Sequence, residues 1–119
     1  MSMTNDGLSH WQAESEGIEL LEITIGDLLD RQAEAFPDRE ALVYSCYPEF
    51  GKALDIRWTY QDYYKRANAT ARGLMALGLN KGDHIAVWAA NLPEWPLLQM
   101  AAAKAGLILG HDQSRPASC

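Results

Sequence analysis

The chain has 119 residues, 48% of them hydrophobic and 22% charged, with Gly and Pro at ordinary levels. That profile suits a globular chain of one domain at most and sets aside a disordered chain or a collagen-like repeat as the class of the whole. Ten Lys and Arg against sixteen Asp and Glu give a net charge of −6 and a pI near 4.9, which argues against a nucleic-acid partner because the phosphate-neutralising surface is missing. The charge is uneven: residues 1–62 hold thirteen acids and four bases, residues 63–119 three acids and six bases. A solvated acidic face on an N-terminal helical region accounts for such a split.

Residues 1–17 are polar and without periodicity, and they are expected to form a mobile leader. They lack the apolar stretch of a secretory signal, and the two cysteines, Cys46 and Cys119, do not make a disulfide framework. A cytoplasmic chain with free thiols is expected. The longest unbroken apolar run, Ile85 to Ala90, has six residues, far short of the roughly 18 a membrane helix needs.

From Thr24 the pattern turns helical, with Ile25, Leu28, Leu29, Ala33 and Phe36 at three- and four-residue steps. Thr24 with Asp27 predicts a capping-box-like start, and Pro37 predicts the stop, because the residue before a proline is pushed out of the α region. Ala41 to Tyr44 and Ile56 to Tyr60 read as two strands of a hairpin with a long loop. Thr59 and Asp62 then predict a second helix whose apolar stripe is Tyr63, Ala67, Ala71, Leu74 and Leu77, closed by Gly78.

Lys81-Gly82-Asp83 predicts a turn, and Ile85 to Ala90, lacking polar alternation, predicts a strand buried on both faces of a parallel sheet. Asn91 and Pro93 predict the start of a third helix, with Trp95, Leu98 and Ala102 on one face and Gly106 at its end. Leu107 to Leu109 begins another strand. The fold class is therefore α/β: helix, β-hairpin, helix and an incomplete βαβ unit joining two parallel strands. No internal repeat or low-complexity tract is present.

Chemistry-bearing patterns are sparse. The nine glycines are isolated, so neither GxGxxG nor GxxxxGK[ST] can be written, and the turn after the buried strand contains Pro93, which removes a phosphate-binding N–H. This disfavours a small stand-alone nucleotide-binding domain. His10, His84 and His111 are scattered and neither cysteine is near a histidine, so no metal-ligand spacing exists. Ser45 lacks a nucleophile elbow and an accompanying base, and reads as a loop residue. Asp27 with Asp30, or Glu34 with Asp38, share a helical face, but an exposed polar face does not shift carboxylate pKa values as acid–base catalysis requires. Trp58, Trp88 and Trp95 read as core and helix–sheet packing.

The order and wording of several segments resemble the adenylate-forming acyl-CoA synthetases, and among them the fatty-acyl-CoA ligases. The segments are Thr24-Ile25-Gly26-Asp27-Leu28-Leu29, then Phe36-Pro37-Asp38-Arg39-Glu40-Ala41-Leu42, and Trp58-Thr59-Tyr60 leading a helix. Next come Gly73-Leu74 through Leu77-Gly78 to Lys81-Gly82-Asp83, then Val87-Trp88-Ala89, Asn91-Leu92-Pro93-Glu94-Trp95 and Ala103-Lys104-Ala105-Gly106. The resemblance runs from about Gly17 to Leu109, so residues 18–109 are expected to form part of an AMP-binding domain and 110–119 a tail outside it.

What the resemblance implies is a parent enzyme that activates a fatty acid with Mg-ATP to an acyl-adenylate, releases pyrophosphate and passes the acyl group to coenzyme A. Trp58-Thr59-Tyr60 and Lys104-Ala105-Gly106 match the first two core motifs of the family, which are structural; Asn91, Pro93 and Glu94 belong to the same structural set. The family's phosphate loop, threonine–glutamate pair, ribose-binding aspartate and C-terminal lysine have no counterpart here. No catalytic, cofactor-binding or metal-binding residue is therefore carried over, and ATP, Mg and CoA are implied only for the full-length enzyme. The chain alone is expected to be inactive, with a non-catalytic interaction module that associates with a full-length ligase as the alternative.

At Gly110 the wording departs from the family, which commonly continues with a stretch like Val-Thr-Ile-Asn-Pro-Ala. The coding string GGT CAC GAT CAA TCC CGC CCA gives Gly110 to Pro116, and the same string read one nucleotide later gives Val-Thr-Ile-Asn-Pro-Ala. A one-base frameshift is expected on this ground, against the alternative of a divergent end. A parallel sheet stopped so early would leave Leu98, Leu107, Ile108, Leu109 and part of Trp88 in water, which predicts a partly folded, aggregation-prone chain.

Overall fold

The computed structural model describes Gly17 and residues 19–46, 54–89 and 92–111. Seven elements follow in order: α1 (Ile25–Ala35), β1 (Glu40–Cys46), β2 (Leu54–Thr59), α2 (Tyr60–Ala76), β3 (His84–Val87), α3 (Glu94–Ala105) and β4 (Ile108–His111). β1 and β2 pair antiparallel with a register irregularity between Glu40 and Leu42, and β3 and β4 pair parallel around α3. The expected order of elements, hairpin and βαβ unit included, is the observed one. Residues 1–16 of the leader and residues 47–53 of the hairpin loop lie outside the described residues.

Helix starts follow the capping chemistry. The Thr24 hydroxyl accepts from the Asp27 N–H at 3.1 Å. At α2 the Thr59 hydroxyl accepts from the Asp62 N–H at 3.1 Å while the Asp62 carboxylate accepts from the Thr59 N–H at 3.2 Å, a complete capping box. α3 is different. It begins at Glu94 with Pro93 in the cap position and no side-chain cap bond, and the expected cap Asn91 lies outside the described residues. Pro96 is tolerated in its first turn because the N–H it lacks would have had no helical partner.

The end of α3 is fixed by Gly106, at φ 72°, where the Gly106 N–H donates to the Ala103 carbonyl at 3.3 Å and the Leu107 N–H to the Ala102 carbonyl at 2.9 Å. This is a Schellman close, which requires the left-handed backbone that glycine adopts freely. The Gly82 N–H then donates to the Gly106 carbonyl at 2.8 Å and the Ile108 N–H to the Asp83 carbonyl at 2.9 Å, so the turn before β3 is tied to the start of β4.

The core sits where α1, α2 and the hairpin meet: Leu29, Trp58, Tyr63 and Ala67, with Leu42, Ile56, Leu97 and Met100 partly buried against them. The buried line of α1 is Gly26, Leu29 and Ala33, whereas Ile25, Leu28 and Phe36, expected on the same stripe, are exposed. A narrow α1 seam suffices because its partner surface is small, and Gly26 takes the place of a larger apolar residue. On α2 the stripe holds through Tyr63, Ala67 and Ala71, but Leu77 is 81% exposed, since the helix has ended at Ala76 and nothing described covers its last turn.

The largest departure is β3. The expected six-residue strand buried on both faces is four residues long, with exposed and half-buried positions alternating, and Trp88 just after it is 80% exposed. The apolar run was read as doubly covered, yet β3 has one strand neighbour and contributes nothing to the core cluster. Leu107, expected in water, is buried at 8% under the Schellman close.

Candidate functional site

Trp58-Thr59-Tyr60 crosses from β2 into α2, so one tripeptide ends a strand, caps a helix and fills the core. The Trp58 ring is 9% exposed, lies 6.2 Å from the Tyr63 ring at a 37° tilt, and carries the Arg66 guanidinium 4.7 Å above its face. Tyr63 donates from its hydroxyl to the Pro96 carbonyl at 2.6 Å, which fastens α2 to the first turn of α3. Burial pushes the Tyr63 phenol up to about 12. At the same helix start, hydrogen bonds from the Thr59 backbone and hydroxyl hold the Asp62 carboxyl below its ordinary value of 3.8.

Lys104-Ala105-Gly106 closes α3 and is the second junction. The Lys104 ammonium, on a side chain only 10% exposed, pairs with the Asp30 carboxylate of α1 and stands 4.9 Å from the Tyr64 ring centre of α2. One cation thus links all three helices among the described residues. Gly26 makes the approach possible: a Cβ there would meet the Lys104 Cγ at 3.0 Å and its Cα at 3.3 Å. Opposite, a Cβ on Gly106 would meet the Lys81 Cγ at 2.9 Å. Between them an open recess of about 530 Å³ is lined by Thr24, Asp27, Asp30, Asn68, Lys81 and Lys104.

The remaining sequence candidates are placed plainly. Pro93 is buried and Glu94 exposed at the start of α3, while Asn91 lies outside the described residues. Of the carboxylate pairs, Asp27 is exposed in the first turn of α1, where its backbone N–H donates to the Thr24 cap, and Asp30 is an ion-pair partner of Lys104; Glu34 and Asp38 are both exposed. Ser45, expected in a loop, lies in β1 opposite Asp55 of β2, and its hydroxyl donates to the Asp55 carboxylate at 3.0 Å in an exposed cross-strand link, with Arg57 also near that carboxylate at 3.6 Å. Among the described residues no group of three or more His, Cys, Asp and Glu could hold a metal ion, and no helix is long and apolar enough to cross a membrane. Trp58 and Trp95 pack as expected, and Trp88 does not: it stands in solvent.

What this arrangement does chemically is position helices. A buried ammonium held by a carboxylate offers neither nucleophile nor general base. The Asp30–Lys104 link, 74 residues apart, was missed by sequence reasoning, and its one legible signal is Gly26, a glycine inside the first turn of an otherwise apolar-striped helix.

A family model described as AMP-binding enzyme matches residues 29–110. Among curated relatives, YngI of Bacillus subtilis, assigned as an acyl-CoA synthetase, is 46% identical over 91 residues, covering 76% of this chain and 15% of its own length. The mouse medium-chain acyl-CoA ligase ACSF2, mitochondrial, is 38% identical over 103 residues, covering 87% of this chain and 15% of its own. The structure of an assigned long-chain-fatty-acid CoA ligase from Rhodopseudomonas palustris superposes with a TM-score of 0.65 at 33% identity, over 80% of this chain and 22% of that one. The chain therefore spans about 15% of the length of the curated relatives it matches.

Proposed function

We propose that this chain, which belongs to the AMP-binding enzyme family through its match over residues 29–110, is the scaffold-forming start of an acyl-CoA synthetase acting on a fatty acid. In that reaction a carboxylate oxygen attacks the α-phosphorus of ATP, pyrophosphate leaves, and the thiol of CoA then displaces AMP from the acyl carbon. The match over residues 29–110 carries the reading, and the names of the relatives, medium-chain and long-chain ligases, support a fatty acid as the substrate class. ATP, its Mg ion and CoA would be held by segments beyond these residues. The contribution of this chain is to hold α1, α2 and α3 together through Trp58, Tyr63 and Lys104.

By itself the chain is inactive in this reading, since its two motif junctions are spent on packing. The reading of Gly110 to Pro116 as a one-base frameshift belongs with it, and β4 is compatible as far as the first side-chain carbon: a Cβ on Gly110 would have the Ile85 carbonyl oxygen as its neighbour, at 3.8 Å, an ordinary contact. The test is to sequence the coding DNA across Leu109 and several hundred bases beyond, restore the frame, and assay both products for octanoate- and palmitate-dependent pyrophosphate release. Activity in the restored protein and none in the 119-residue chain is expected. A restored frame with no ligase-like continuation, or a frame-restored protein inert toward all carboxylic acids, would overturn it.

A further inference from the structure

No further inference is drawn: the strongest candidate, the open recess between the start of α1 and the close of α3, carries nothing because its buried charge, Lys104, is already paired with Asp30 and nothing in the structure shows what would occupy it.

Discussion

Two regions of this molecule share one sequence style and reach opposite ends. The helix–hairpin half is built from short apolar runs that find partners within the chain, and Trp58 is 9% exposed there. The β3–β4 half contains the longest apolar run, yet Trp88 is 80% exposed. The difference lies not in the hydrophobicity of the residues but in whether the covering elements are encoded nearby. A core closes locally when strand, helix and turn are neighbours; a parallel sheet needs later strands and helices on both faces.

Truncating the buried tryptophan should break the comparison most. Trp58→Ala is expected to remove about 3–5 kcal/mol from the helix–hairpin half, read as a lower urea midpoint for loss of the helical circular dichroism; a midpoint unmoved by the change would refute the placement of the core. Next is the buried cation. Asp30→Ala leaves the Lys104 ammonium without its carboxylate and is expected to destabilise by about 1–3 kcal/mol, less than for a fully buried pair because Asp30 remains 45% exposed. Lys104→Met, which removes the charge instead of orphaning it, should be milder by the same measurement.

A third test uses pH. The Tyr63 phenol is raised in the folded chain from its ordinary 10 to about 12, so the folded state holds its proton more tightly than the unfolded one. The stabilisation is complete below pH 10 and is lost as pH rises from 10 through 12. Alkaline unfolding monitored by tyrosinate absorbance should fall in that window, and Tyr63→Phe should lower stability at neutral pH by about 1 kcal/mol while removing this part of the alkaline sensitivity. Asp62 works in the other direction: its folded carboxyl is depressed, so its support of the α2 cap is present above 3.8 and fades as pH falls below it. Thr59→Ala should weaken that helix by about 1 kcal/mol and flatten its acid dependence. The smallest effect is expected in the other region, where Trp88→Ala should change stability by less than about 0.5 kcal/mol; a large loss would show that β3 is covered after all.

The sequence made the element order readable because its boundary signals are local. Thr24, Thr59 and Gly106 each act through hydrogen bonds within a few residues, and all three work as read. Burial was less readable, because it depends on partners distant in the chain. Ile25, Leu28 and Leu77 have the right spacing for a buried stripe but no surface opposite them, and Ile85 to Val87 has the composition of an inner strand without its neighbours. The motif residues were legible by resemblance, while the reason for Lys104 was not: its carboxylate lies on α1, in a helix where Asp30 looks like any exposed acid.

The Asp30–Lys104 link also sets a clock. The two residues are 74 positions apart, and at a synthesis rate of roughly 5–20 residues per second the α1 segment leaves the ribosome about 4–15 s before its partner exists. Through that interval α1 has its cap and its Leu29 contact to rely on, but not the cation that fastens it to α3. Nascent chains arrested before Lys104 should therefore keep α1 open to proteases and chaperones, and those arrested far enough beyond Gly106 should not. The shortest nascent length that protects α1 is in this sense written into one ion pair.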